Sequence, residues 1–249
     1  MTQISINGSA MSLVWLLVPF SIFTSVVAAI MGIGGGLMLI AVMPFVLPAA
    51  AVVPVHSIAQ MASNASRAGF AWRAVQWRFL FPFVVGSIAG VAVFTLIWTL
   101  LPERWLPLII GSYILLTLWN EPFSAMLRRA ETFYSAGFLQ TGLGIVVGAT
   151  GPLTLTLLSK QLSSRDQIVA TSAMMMLVTH ILKTAAFVVA GFVYTPYLWL
   201  MVALIIAAIV GSWLGTVIRR KVEDKVFQRF LKGILSVLAV AMITKSLMG

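Results

Sequence analysis

The sequence predicts an all-α polytopic membrane protein made of two inverted-topology repeats with glycine-broken helical hairpins. Three features point there. Of 249 residues, 61% are hydrophobic and 9% charged, whereas soluble domains carry roughly 25% charged residues. Four glycines crowd into Met31-Gly32-Ile33-Gly34-Gly35-Gly36-Leu37, inside an otherwise apolar stretch. Lipid supplies no hydrogen-bond partners, so a helix break there must be buried in protein or line a wet cavity. Lastly, special positions recur in the same order in the two halves of the chain.

In chain order, Met11 to Ile30 is an apolar run long enough to cross a bilayer, which takes about 20 residues. The glycine cluster follows, then a half-length apolar run, Leu37 to Leu47. Pro44, Pro48 and Pro54 punctuate a turn. Val55 to Phe70 is apolar but carries His56, Gln60, Ser63, Asn64 and Arg67 at helical spacing, a stripe that should face protein or a cavity. A basic link, Arg67 to Arg78, leads to a span from Phe79 to Leu101. A short link precedes the apolar Trp105–Trp119.

The connection Asn120 to Glu131 opens the second half. Phe133 to Val147 is apolar and ends at Gly148-Ala149-Thr150-Gly151-Pro152, followed by the short run Leu153 to Leu158. Gln167 to Ala190 is a long span with Thr171, Ser172, Thr179, His180 and Lys183. Tyr197 to Ile218 and Val226 to Lys245 complete the chain. Counting each broken hairpin as two gives about 8–10 membrane segments. Residues 1–125 form the first repeat and 126–249 the second, within a single membrane domain.

Gly36 and Gly151 are 115 residues apart, as are Ser57 and Ser172, and Gly86-Ser87-x-x-Gly90 returns as Gly211-Ser212-x-x-Gly215. Charge changes character between matching links. Arg67–Arg78 is basic and Gly191–Pro196 neutral, while 102–104 is nearly neutral and 219–225 strongly basic. Basic links collect on the cytoplasmic side, so the halves should be inverted and both termini external. Inverted repeats with broken helices and a site between them are the pattern of secondary transporters.

Helix starts at such breaks expose N–H groups and the positive end of the helix dipole, which suits an anion. The candidate substrate-binding residues are therefore Gly34, Gly35, Gly36, His56, Ser57, Asn64, Thr150, Gly151, Thr171, Ser172, Thr179, His180 and Lys183. Each has a bland alternative: close helix packing for the glycines, interhelical hydrogen bonding for the hydroxyls, a structural role for the histidines, and snorkelling to the interface for Lys183. Arg67 reads as an interfacial topology residue.

Glu103, Glu121, Glu131, Asp166, Glu223 and Asp224 all fall in or beside links, so no carboxylate is left for an intramembrane cation or proton pathway. With no cysteine there is no disulfide, thiolate metal site or cysteine nucleophile. Neither cofactor nor metal is expected. The net charge of +10 fits cytoplasmic loops of a membrane protein better than nucleic-acid binding. The expected partners are a small inorganic or organosulfur anion and membrane lipid, and a homodimer is compatible with both.

The chain resembles the TauE/SafE family of sulfite and organosulfonate exporters. The resemblance rests on Gly32-Ile33-Gly34-Gly35-Gly36, Pro44, the stretch from His56-Ser57 to Asn64, Ala170-Thr171-Ser172 and both Gly-Ser-x-x-Gly elements. It implies a bacterial inner-membrane protein that moves small sulfur oxyanions or sulfonates. Gly148-Ala149-Thr150-Gly151-Pro152 departs from the second glycine-rich turn common in that family. Two other readings compete: a passive anion channel or non-transporting membrane partner, and an intramembrane hydrolase using Ser57, Ser87 or Ser212. No nucleophile elbow supports the latter.

Overall fold

The structure, a computed structural model, describes residues 14–32, 34–129, 131–150, 152–218 and 224–248. Among the described residues it is helical without strands, with eleven α-helices: α1 Leu17–Met31, α2 Gly35–Val42, α3 Ala49–Phe70, α4 Leu80–Leu100, α5 Leu106–Trp119, α6 Glu121–Arg128, α7 Phe133–Val147, α8 Pro152–Gln161, α9 Arg165–Val189, α10 Leu198–Ile218 and α11 Asp224–Met248. Three helical stretches are long and apolar enough to cross a membrane: Trp77–Leu100, Arg165–Val189 and Thr195–Ile218. Helices α1, α2 and α7 are apolar but shorter than a full span.

Local chemistry sets several boundaries. Gly32, at φ 77°, ends α1, with its N–H donating to Ala28 O. A left-handed residue at this position is how helices commonly stop, and glycine adopts it without Cβ strain. Helix α7 starts at a reciprocal cap between Thr132 and Ser135. Two boundaries differ from the expectation. Pro54 lies inside α3, which begins right after Pro48; in the second turn its missing N–H costs a single helix bond. The connection Asn120 to Glu131 contains α6, capped by the Asn120 side chain on Phe123 N.

The halves interlock rather than sit side by side. Helix α1 packs chiefly on α10, and α7 chiefly on α4, in each case the first helix of one half on the fourth of the other. Gly211 and Gly215 admit the backbone of α1 at Ile22 and Val26; Gly86 and Gly90 admit that of α7 at Tyr134 and Phe138. Lipid offers no hydrophobic drive for helix association, so close approach through small residues and interhelical hydrogen bonds takes over. Ser212 Oγ donates to Ser63 O at 3.3 Å, and Thr141 Oγ1 donates to Ser87 Oγ at 2.9 Å.

Helices in the same order within the two halves of the chain cross in opposite directions. Gln76 N, just beyond α3, donates to Thr171 Oγ1 near the start of α9, while His56 and His180 face each other further along. Helices α3 and α9 are therefore antiparallel. So are α5 and α11, where Trp119 meets Ser236 at one end and Ser246 meets Arg104 at the other.

Between α1 and α7, and between the starts of α3 and α9, the spacing is 116 residues, one more than the 115 read from sparse identities; the remaining pairs in the same order start 117 or 118 apart. Helices α1 and α7 start at 17 and 133 and end at 31 and 147; α3 and α9 start at 49 and 165. In this register Arg67 matches Lys183, Asn64 matches His180, and Gly32 matches Gly148, both at φ 77°.

Candidate anion site

The first break is built from glycines with separate tasks. Gly32 and Gly34 hold φ values of 77° and 93°, which a Cβ would strain. Gly35 lies against Thr24 O and the Ala28 side chain of α1, where no Cβ fits. Gly36 opens instead towards Gln60 and His56 of α3: an added Cβ would lie 3.1 Å from Gln60 Oε1 and 3.7 Å from His56 Nε2. His56 Nε2 donates to Gly36 O at 2.9 Å. Here Gly34, Gly35, Gly36, Gln60, Asn64, Arg67 and Met176 line a cavity of about 30 Å³, room for a group the size of one or two waters.

Arg67 belongs to this cavity, not to an interfacial loop. Its side chain is 8% exposed; Nη1 donates to Ala28 O at 3.0 Å, and Nη2 to Asn64 Oδ1. Its Nε is buried without a partner. Arg67 also lines a vestibule of about 560 Å³ walled by Phe70, Trp72, Arg73, Asp166 and Val169. The guanidinium thus stands at the neck between vestibule and glycine cavity.

The second break is tied down by side chains. Gly148 turns at φ 77° and donates N–H to Gly144 O. Gln140, the lone amide in α7, knits the turn together. Its Oε1 accepts from Thr154 Oγ1 at 2.8 Å, its backbone carbonyl accepts from Thr150 Oγ1 at 2.8 Å, and Nε2 donates to Thr179 Oγ1 at 3.4 Å. Lys183 Nζ donates to Gly148 O at 2.7 Å with the side chain 0% exposed, so Lys183 does not snorkel. Gly151 lies outside the described residues. Across the break, Ile40 of α2 and Val53 of α3 fill the space beside Gly148, which joins the two breaks physically.

Of the residues singled out from sequence, Gly34, Gly35, Gly36, His56 and Asn64 gather at the first break, and Thr150, Thr179 and Lys183 at the second. His180 lies between, with ring centroids 5.9 Å from His56 and both ring nitrogens buried without partners. Others point elsewhere. Ser57 Oγ turns back to Val53 O at 2.8 Å, and Thr171 holds the link at Gln76. Ser172 is buried in the same helix. Arg67 and Gln140 were missed as site residues. Arg67 sits at the mouth of a basic link, but Gln140 could have been found as an isolated amide in an apolar run.

The electrostatic balance is lopsided. Arg67, Lys183, His56 and His180 are all buried, whereas Glu103, Glu121, Glu131 and Asp166 are exposed. Among the described residues the one ion pair joins Arg128 to Glu121 outside this region. Removing an isolated charge from water is costly unless it is compensated. Lys183 has a helix-end carbonyl, which carries partial negative charge, and Arg67 has one together with the Asn64 amide oxygen. An anion entering the region would complete the compensation.

A helical membrane protein with two broken helices and, among the described residues, buried cations but no buried carboxylate has the features of a membrane transport protein. The chain belongs to the Sulfite exporter TauE/SafE family, which it matches over residues 17–242. No curated protein and no solved structure matches it.

Proposed function

We propose that the chain is a secondary transporter that exports a small anion, a sulfur oxyanion or organosulfonate such as sulfite, across the bacterial inner membrane. The observation that carries this is the paired arrangement of Arg67 and Lys183, buried at the two helix breaks, with no buried carboxylate among the described residues; Asp166 of the vestibule is exposed. The anion would sit against the N–H groups at Gly34–Gly36 and the side chains of Asn64 and Arg67, and would pass to His180 and Lys183 of α9 as the centre opens to the other side.

Transport proceeds by alternating access between inverted repeats, residues 1–125 and 126–249, with both termini external. The antiparallel crossing of α3 with α9 and of α5 with α11 supports inversion, since each pair consists of matching helices. Rocking one repeat against the other would open the centre to each side in turn. The hydrolase reading loses support, because Ser57 bonds its own helix while Ser87 and Ser212 bond neighbouring helices.

Binding is tested by thermal shift of the purified protein with sulfite, thiosulfate and small sulfonates. A ligand held by the native state at a hundred times its Kd adds about 2.7 kcal/mol, enough to raise Tm by some degrees. Gly36→Ala places a methyl 3.1 Å from Gln60 Oε1, a movable side-chain end, and so narrows the cavity without breaking the fold. The expected outcome is a rise in Tm with at least one of these anions, diminished in Gly36→Ala. No shift across the whole panel contradicts the reading. Gly35→Leu is a poorer probe, because Gly35 abuts the α1 backbone and the change would disrupt the hairpin itself.

A further inference from the structure

We infer that Arg67 and Lys183 are equivalent cations that receive the anion from opposite faces of the membrane, Arg67 from the side of the 67–78 link and Lys183 from the other. The inference rests on the transport reading and adds which residue serves which face.

Three observations carry it. Arg67 and Lys183 lie 116 residues apart, as do the starts of α3 and α9, and each follows a polar residue by three positions, Asn64 or His180. Each reaches back to the carbonyl end of the broken first helix of its own half: Arg67 to Ala28 O, four residues before Gly32, and Lys183 to Gly148 O itself. Helices α3 and α9 are antiparallel, so equivalent positions near their C-terminal halves point towards opposite faces.

The two environments differ in this structure as an alternating mechanism requires. Arg67 has an open approach, the vestibule of about 560 Å³ formed by the link that follows α3 and by the start of α9. Its buried Nε has no partner, so one N–H is available to an arriving oxyanion without breaking the two bonds already made. Lys183 has no exposed atom. One turn further along α9, towards the opposite face, fully buried Phe187 meets Trp98 at 5.0 Å; beyond it Phe192 meets Tyr194 at 4.8 Å and Tyr197 at 6.0 Å. These aromatics close the route on that side. The structure is thus the state open to the 67–78 face, with Arg67 receiving and Lys183 shut. In the opposite state the exchange of roles follows from the shared register: Lys183 meets the anion, and Arg67 is covered.

The test is sided flux. The chain has no native cysteine, so a single cysteine at exposed Glu103 (Glu103→Cys), on the link after α4, can be biotinylated and used to separate vesicles by protein orientation. Initial rates with radiolabelled sulfite then give KM for entry from each face. Arg67→Gln should raise KM for entry from the 67–78 face about tenfold, the loss of one charge-assisted hydrogen bond, and leave entry from the 102–104 face within about twofold. Lys183→Gln should do the reverse, and Arg67→Lys should recover most of the loss because it keeps the charge. Where a glutamine variant fails to give a folded peak on gel filtration, Arg67→Met or Lys183→Met replaces it, with the same two outcomes. Equal effects of both variants on both faces, or a wild-type KM in Lys183→Gln for entry from the 102–104 face, overturn the assignment. Absence of flux in the wild type removes the transport reading, and this inference with it.

Discussion

Ser57 and Asn64 lie two turns apart on α3, yet the structure gives them different work. Ser57 donates to Val53 O within its own helix, whereas Asn64 bridges Gln60 O and Arg67 at the glycine cavity. Ser57→Ala should therefore change Tm little, within about 0.5 kcal/mol of stability, and leave anion binding unaltered. Asn64→Ala frees the Arg67 Nη2 and removes a lining amide, so affinity should fall about tenfold, or 1.4 kcal/mol, as read by sulfite titration of the thermal shift. Equal effects of the two would contradict this division. From sequence the two residues were indistinguishable, because spacing reports the face of a helix and not whether a hydroxyl bends back on its own backbone. Lys183 was ambiguous for a similar reason: only its burial separates a snorkelling lysine from one aimed inward.

At the scale of elements, the glycines sort by what approaches them. Gly86 lies against the Tyr134 carbonyl, a backbone atom that cannot swing aside, whereas Gly233 on α11 has open space where a Cβ would go. Gly86→Ala should cost about 1–3 kcal/mol through overpacking of α4 on α7, read as a lower Tm in detergent. Gly233→Ala should leave Tm unchanged or raised, since helix propensity favours alanine. The Gly-Ser-x-x-Gly elements were legible as packing faces from their spacing alone, and the structure supplies their partners, α7 and α1. The α6 helix was not legible, since its eight residues at Glu121–Arg128 fall short of the roughly 11–18-residue window in which a period can be read. The neutral link at Gly191–Pro196 keeps its character: burial pushes the Tyr194 hydroxyl up to about 12, so it stays uncharged at neutral pH.

For the whole molecule, the membrane class followed from composition, and the order of special residues proposed the pairing of the glycine breaks. What sequence spacing missed was one residue of register. Identities are too few between the halves to distinguish 115 from 116, and that single step hid the match of Arg67 with Lys183. The starts of α1 with α7 and of α3 with α9, and the positive-φ glycines Gly32 and Gly148, give 116 instead. Lipid faces were easier to foresee. Trp72, Trp77, Trp105 and Trp119 are all exposed near helix ends, as interfacial anchors should be.

The claim that organises all of this is anion movement through the centre of the protein, and sulfite counterflow in vesicles tests it most directly. Purified protein is reconstituted with unlabelled sulfite inside, and radiolabelled sulfite is supplied outside at low concentration. The predicted result is transient accumulation of label above equilibrium, abolished by loss of both cations in the Arg67→Gln, Lys183→Gln double variant. Label that never exceeds equilibrium, with sulfite, thiosulfate and sulfonates alike, would contradict alternating access of an anion between the two helix breaks.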